Sequence, residues 1–351
     1  MKIIVENEDS VMSYIDSLTN DYEEILRLYL YENDVDAAIA KCHTFSRNVI
    51  EIDTSPEEIV SLHTQMLNHM HVNDVELVKQ SLEILEEVMI SFGFTYRDYR
   101  AMLDKLDLHD QELDIAASLQ ETMLKPTIPV ADTMQIGAIS IPAGKVSGDY
   151  FNFIHHNSHK ISFAVADVIG KGIPAAIAMT MLRFGMELAH LNKGPAKALE
   201  TLNNLVEKNV NKNMFITMFY GVYDYRKGKL TFSSAGHEPG YIYRYEEDVF
   251  EEIDTKGLVL GVRQDNTYFE KTVDLKENDM IFIFTDGVSE LRKHDETFID
   301  MNDIFQMLRE MKDNHPQDTV QYLYETLTRM QNNLRKDDLT MLIIKNAKNL
   351  Y

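Results

Sequence analysis

The chain reads as an α+β protein: an all-helical N-terminal part, then a sheet sandwich with helices packed outside it. Three observations predict this. Residues 1–124 carry apolar side chains at helical spacing, residues 125–351 carry short apolar runs separated by turn residues, and Pro126 and Pro129 stand where one pattern gives way to the other. With 351 residues, about two domains are expected. The division predicted is a helical bundle over 1–95, a helical linker over 96–124 and a larger mixed domain over 125–351.

The bundle follows from periodicity. Ile25, Leu26, Leu28, Tyr29 and Leu30 mark one apolar stripe. Thr54, Ser55, Pro56, Glu57 and Glu58 form a helix start, with a hydroxyl cap, proline in the first turn and carboxylates at the positive end of the dipole. Ile59, Leu62, His63, Met66, Leu67 and Met70 continue at a 3.6-residue period, and Val75, Leu77, Val78, Leu82, Leu85, Val88 and Met89 mark a further helix that Gly93 weakens without breaking. His63, His69 and His71 lack the i,i+4 spacing of a helical metal site and read as bundle residues.

From Tyr99 to Leu124 the pattern narrows. Tyr99, Met102, Leu106, His109, Leu113, Ala116, Gln120 and Met123 fall at alternating three- and four-residue steps, a seam with His109 and Gln120 as polar interruptions. Such a seam pairs with a copy of itself or packs on a neighbouring domain; a short dimeric coiled coil, and hence a homodimer, is the expectation.

Beyond Pro129, strands are predicted at 136–140, 161–166, 215–222, 230–233, 241–245, 268–273, 280–284 and 339–344, and helices at 174–191, 196–210, 303–312 and 319–334.

Acidic residues outnumber basic ones 57 to 34, for a formal charge of -23. The excess is concentrated in residues 1–124, with 26 acidic against 8 basic side chains. Nucleic acid is therefore not expected as a partner, because phosphate backbones are neutralised by Lys and Arg. No apolar run approaches twenty residues, so no membrane span is expected. The single Cys42 excludes a disulfide framework or thiolate cluster and fits a cytoplasmic location. The 19 methionines read as core filler.

The chemistry is carried by aspartates at strand ends. Asp149 follows Ser147 and Gly148; Asp167 ends the apolar run Ala164-Val165-Ala166; Asp286 ends Ile281–Phe284 and precedes Gly287; Asp337 and Asp338 open the last strand. A carboxylate continuing an apolar strand must be hydrogen-bonded, solvated or metal-bound, because burying it unpaired costs several kcal/mol. Several brought together need cations, and hard oxygen donors without thiolates favour Mg²⁺ or Mn²⁺. Two such ions suit phosphoryl chemistry. Taken singly, each of these residues is more simply a turn or cap residue.

Other candidates are weaker. His155, His156 and His159 lie at a hairpin tip, where a solvated turn is the simpler reading. Gly170-Lys171-Gly172 lacks the earlier glycine and the following Ser/Thr of a phosphate-binding P-loop. His237, after Ala235 and Gly236, is divided between a place beside the site and turn packing.

Five motifs in order resemble the metal-dependent serine/threonine phosphatases of the PPM family, SpoIIE-like group: Ser147-Gly148-Asp149-Tyr150, Ala166-Asp167-Val168-Ile169-Gly170-Lys171-Gly172, Ala235-Gly236-His237, Phe284-Thr285-Asp286-Gly287 and Asp337-Asp338-Leu339-Thr340. The helical part, with Phe45-Ser46-Arg47 and Pro56-Glu57-Glu58-Ile59, resembles the regulatory domain of the RsbU-type sigma-B regulatory phosphatases. The resemblance implies an α-β-β-α sandwich with two Mn²⁺ or Mg²⁺ ions at one end. It implies that Asp167 bridges both ions, the Val168 carbonyl binds one, Asp149 supports the first, and Asp286 with Asp337 completes the second, Asp338 being the less certain member of its pair. Catalysis would rest on Asp167 and Asp149, with metal-activated water attacking a phosphoserine and no phosphoenzyme. The implied substrate is a phosphorylated, RsbV-like anti-anti-sigma factor of the STAS class. The implied activator is an RsbT-like kinase docking on the N-terminal domain and linker, making the enzyme a positive regulator of the general stress response. The phosphate-binding arginine of the eukaryotic branch has no counterpart that can be placed. The alternative is a non-catalytic signalling scaffold with an inactive phosphatase-like domain.

Overall fold

The computed structural model describes residues 8–52, 54–156, 159–170, 172–189, 194–210, 213–294, 297–331 and 337–347, with side chains from Ser17 onward. The chain divides into two compact units, Met1–Asp110 and Gln111–Tyr351. Among the described residues no helix is long and apolar enough to cross a membrane.

The first unit is helical. Helix α1 (Glu8–Arg27) runs into a π-helical turn (Leu28–Glu32), followed by α2 (Val35–Glu51), α3 (Pro56–His69) and the start of α4 (Val75–Leu124). Asn33 ends the π-turn in the left-handed region, and the Asp34 side chain caps α2 by accepting from the Ala37 N–H. At α3 the Ser55 N–H donates to Glu58 Oε2 at 2.7 Å, the reciprocal half of a capping box. The core joins Tyr22, Ile25, Leu26, Cys42, Phe45, Val49, Ile59, Ile84 and Val88. His63 is buried in it, with Nδ1 3.0 Å from Tyr22 Oη and Nε2 3.4 Å from Ser81 Oγ. Both ring nitrogens thus face hydroxyls, and burial pushes the imidazole's proton affinity down. The sequence's fourth bundle helix and its linker form one continuous helix of 50 residues, and Gly93 does not interrupt it.

The second unit begins on the end of that helix and continues as two five-stranded antiparallel sheets. One has the order β1-β10-β9-β6-β7, from β1 (Met134–Ile141), β6 (Gly240–Arg244), β7 (Val249–Ile253), β9 (Met280–Phe284) and β10 (Leu339–Asn346). The other has the order β2-β3-β4-β5-β8, from β2 (Asp149–His156), β3 (Lys160–Ile169), β4 (Phe215–Asp224), β5 (Lys229–Ala235) and β8 (Lys271–Asp274).

Alternation of side chains decides the layers. Phe163 and Val165 of β3, Phe219 of β4, Ile281 and Ile283 of β9, and Leu342 and Ile344 of β10 meet between the sheets. Phe219 stacks between Phe163 and Phe232, at centroid distances of 6.2 and 5.5 Å. The intervening residues face outward: Ala164, Ala166 and Val168 pack on α5 (Ile173–Ala189) and α6 (Pro195–Asn209), while Phe282, Phe284, Met341 and Ile343 pack on α8 (Met301–Glu310) and α9 (Pro316–Met330). Central strands are therefore apolar on both faces, which is why they read as continuous runs. The result is the α-β-β-α sandwich.

The departures from expectation have local causes. β2, absent from the strands predicted, is broken up by Asn152, His155 and His156. β7 is a mostly exposed edge strand carrying Glu251 and Glu252. β8 begins at Lys271 rather than 268, although Tyr268 is buried against the α5/α6 layer. Helices α8 and α9 start earlier than predicted because Asp300 and His315 supply the caps, with Pro316 in the first turn of α9. Positions 190–191 and 332–334, predicted as helix ends, lie outside the described residues, as does Lys171.

Candidate active site

The site grows from strand register. Asp149 of β2 pairs with Asp167 of β3, which pairs in turn with Thr217 of β4. Residues directly opposite in neighbouring strands share a face, so these three side chains form a row. Asp167 has the parity of Phe163 and Val165, so the row continues the inter-sheet face to the end of the sandwich. On the facing sheet the corresponding positions are hydroxyls: Ser140 pairs with Thr340, and Thr340 follows the parity of Leu342. Thr285 extends β9 beside it and shares its backbone, the Thr285 N–H donating to the Thr340 carbonyl at 3.1 Å.

The two rows meet. Thr285 Oγ1 donates to Asp149 Oδ2 at 2.6 Å and accepts from the Thr340 N–H at 3.0 Å. That second bond fills the hydroxyl's acceptor side and directs its proton at Asp149. Thr340 also hydrogen-bonds Asp149, and its Oγ1 lies 2.8 Å from Ser140 Oγ. Asp149 is only 3 % exposed, so this hydroxyl cradle is what makes a carboxyl tolerable there.

A pocket of about 400 Å³ opens above this row, lined by Asp167, Val168, Asp286, Asp337 and Asp338 together with Leu113, Lys145 and several glycines. Five of the six residues singled out from the sequence thus line one pocket, and Asp149 lies buried behind it. Asp286 begins the short helix α7 (Asp286–Ser289), whose first turn packs on the Asp337–Asp338 turn. Asp338 is heavily committed: its oxygens accept from the Ala143 N–H at 2.6 Å, the Ser147 hydroxyl at 3.1 Å and the Gly148 N–H. It ties the 143–148 loop to the last strand, whereas Asp337 is the more exposed of the pair.

The electrostatics follow from crowding. Burial pushes Asp149 well above the usual carboxylate range and Asp167 reinforces this, while the Thr285 and Thr340 hydroxyls oppose it. Burial and then the charges of Asp286, Asp337 and Asp338 push Asp167 up to about 7. Asp286 is raised by burial, then by Asp337 and Glu290. Among the described residues, no three Asp, Glu, His or Cys side chains already converge on one point with ligand spacing. The pocket is a wall of mutually repelling carboxylates rather than a finished coordination shell. Its donors are hard oxygens, and a divalent cation relieves the repulsion that raises Asp167; the residues fit Mg²⁺ or Mn²⁺.

His237 lies behind the pocket and does not line it. Its Nδ1 is 2.9 Å from the hydroxyl of Thr217, the residue opposite Asp167. Burial drives its pKa down to about 4 against the pull of the Phe284 carbonyl, so the ring is neutral. Of the hairpin histidines, His156 Nε2 is 2.7 Å from Ser162 Oγ and His159 packs edge-on against Tyr225.

Sequence reasoning missed Thr285, Thr340, Ser140, Glu238 and Lys145. The hydroxyls were discoverable by carrying inward parity one step past Ile283 and Leu342. Glu238 directly follows His237, and burial with the Asp286 and Glu290 charges raises it. Lys145 is a cation among the pocket's walls, held 2.6 Å from Asp114 of α4.

The sandwich and its carboxylate-walled pocket define a phosphatase of the PP2C type, the PPM class. The SpoIIE family (Stage II sporulation protein E) matches residues 157–346, and the family described as Phosphoserine phosphatase RsbU, N-terminal domain, matches residues 20–95. The chain is 36% identical over 335 residues to Phosphoserine phosphatase RsbU of Bacillus subtilis (strain 168), covering 95% of this chain and 99% of that protein. The chain belongs to the RsbU family of phosphoserine phosphatases. Among solved structures the fold matches the SiaA-PP2C domain of Pseudomonas aeruginosa (TM-score 0.60, 19% identity, 69% of this chain and 98% of that one). It also matches the PP2C phosphatase domain of SpoIIE from Bacillus subtilis, with a fragment of its regulatory domain (TM-score 0.52, 22% identity, 60% of this chain and 63% of that one).

Proposed function

We propose that the chain is a Mn²⁺- or Mg²⁺-dependent protein-serine phosphatase whose site is the Asp167 pocket. The observation that carries this reading is that Asp167, Asp286 and Asp337 line one pocket, with Asp149 hydrogen-bonded by Thr285 and Thr340 and buried beside Asp167. Two divalent ions would be held by Asp167, the Val168 carbonyl and Asp149 on one side and by Asp286 and Asp337 on the other. Bound there, such ions supply charge neutralisation for a phosphate ester and a water of lowered pKa. Asp338 serves mainly to fix the 143–148 loop. Without cations the carboxylate wall repels a phosphate dianion, and among the described residues Lys145 is the wall residue of opposite sign.

The substrate proposed is a phosphorylated, RsbV-like anti-anti-sigma factor of the STAS class, in the sigma-B pathway. The N-terminal helices and linker are the docking site for an RsbT-like activating kinase, and the exposed Tyr99, Met102 and Leu106 form a homodimer seam. The working division is 1–95, 96–124 and 125–351, in a cytoplasmic protein. Family membership supports this reading, as does the acidic first third of the chain, suited to a basic partner surface. The test is phosphate release with Mn²⁺ present or chelated, from p-nitrophenyl phosphate and from a phosphorylated STAS protein. Asp167→Ala and Asp286→Ala abolish release while retaining the wild-type far-UV spectrum. Full turnover in either variant defeats the assignment, and no turnover from wild type, even with a kinase partner added, favours the scaffold.

A further inference from the structure

Gln120 is one of the two polar interruptions of the 99–123 seam, and the structure gives it a partner. The residue is 8 % exposed, and its side chain grips one residue beside the pocket lining twice: Nε2 donates to the Ser147 carbonyl at 2.7 Å, and Oε1 accepts from the Ser147 N–H at 2.9 Å. This is a strand-like exchange, made by an amide side chain on a helix. Leu113, Ala116, Ala117 and Leu124 share the inward side with Gln120, while Met123 is exposed.

Ser147 is a consequential place to hold. Its neighbour Gly148 donates its N–H to Asp338 and accepts from the Val168 N–H at 3.2 Å. The next residue is Asp149, whose N–H donates to Ser147 Oγ at 3.1 Å. The preceding residues 143–146 line the pocket, Lys145 among them, and Lys145 is ion-paired to Asp114 of the same helix. Both main-chain groups of Ser147 are thus satisfied by the helix, and a buried peptide left without partners is costly. An apolar residue at position 120 would serve packing; only a donor and acceptor together serve the peptide. One residue of helix advance turns the side chain by about 100°, so both bonds are made in one register and lost together.

We infer that Gln120 is a positioning residue of the phosphatase site: through Ser147 it sets the 143–149 segment, and with it Asp149 and the pocket wall, against Asp167. This rests on the pocket's being the active site. The test uses the full chain and Gln120→Met, which keeps length and volume without hydrogen-bonding groups. Three quantities are read: steady-state turnover of p-nitrophenyl phosphate at saturating Mn²⁺, Mn²⁺ affinity by electron paramagnetic resonance without substrate, and the melting temperature. The expected result is a fall of about tenfold in kcat with KM within about twofold of wild type, as two neutral hydrogen bonds are lost. Mn²⁺ binding weakens in parallel, and Val130→Ala, at an exposed position outside the linker and the pocket lining, changes none of the three. A variant with wild-type kcat and Mn²⁺ affinity overturns the inference, and so does one whose only change is a lower melting temperature. Asp167→Asn separates the two levels. If it retains turnover, the reading of the pocket fails, whereas if it is inactive and Gln120→Met behaves as wild type, only the role of Gln120 fails. Should wild type show no turnover, the Mn²⁺ titration still decides.

Discussion

Asp149 and Asp167 stand opposite each other across the β2–β3 pair: the charge of Asp167 raises the proton affinity of Asp149, whereas a hydrogen bond with Asp149 lowers that of Asp167, which burial and the charges of Asp286, Asp337 and Asp338 push up. The arrangement is costly without cations. Asp167 titrates at about 7 in the folded protein, against an ordinary value of 3.8. Between those values the native state holds a proton that the unfolded chain has released, so this stabilisation is complete below about 3.8 and is lost as pH rises through about 7.

Asp167→Asn removes that dependence. In chelator, the variant gains stability relative to wild type as pH is raised from 5 to 8, read from denaturant midpoints at each pH. Mn²⁺ then stabilises wild type more than the variant, because cation binding adds to the native state only where ligands remain. A wild-type-to-variant gap that stays flat across this range would show that the carboxylates do not crowd one another as described.

Thr285 gives a second prediction. Its hydroxyl donates to Asp149 and accepts from the Thr340 N–H, in a fully buried position. Thr285→Val keeps the shape, leaves the Thr340 N–H without its acceptor and removes one of the two hydroxyls that hydrogen-bond Asp149. The expected loss is about 1–3 kcal/mol of unfolding free energy. Turnover falls by about tenfold or more as well, because Asp149 loses the bond that orients it. Thr285→Ser, which restores the hydroxyl, recovers most of both. Equal behaviour of the valine and serine variants would remove Thr285 from the site.

What the sequence revealed and what it concealed divide along physical lines. Strands buried on both faces, such as Ile281–Phe284 and Leu339–Ile344, announce themselves by unbroken apolar runs. Asp167 and Asp286 stand out because a carboxylate ends such a run. β2 is hidden because Asn152, His155 and His156 dilute its signal, although it carries Asp149. The seam over 99–123 was visible as a period, but the period cannot say what covers it. Gln120 packs on the Ser147 peptide of the sandwich, whereas Tyr99 and Met102 are exposed. Asp338 resembles Asp337 in sequence and differs from it in space, because three donors of the 143–148 loop meet its carboxylate. That difference depends on pairings some 190 residues apart in the chain, beyond any local pattern.

Gly287 supplies the last prediction. It follows Asp286 at the start of α7, and a Cβ built on it would strike the backbone carbonyl of Asp338. Its backbone does not need glycine's freedom in φ, since it is not among the positive-φ residues; what it needs is the absence of a side chain. The two acidic turns, 286–287 and 337–338, therefore approach as closely as main chains can, and this brings Asp286 and Asp337 to one pocket. Gly287→Ala must drive the turns apart or shift the short helix, with an expected cost of at least about 2 kcal/mol. Because the shift lies between two proposed ligands, Mn²⁺ affinity falls with it, which separates this position from a glycine whose loss only loosens packing. A Gly287→Ala protein with wild-type stability and Mn²⁺ affinity would mean that the close approach of the two turns is not what assembles the carboxylates.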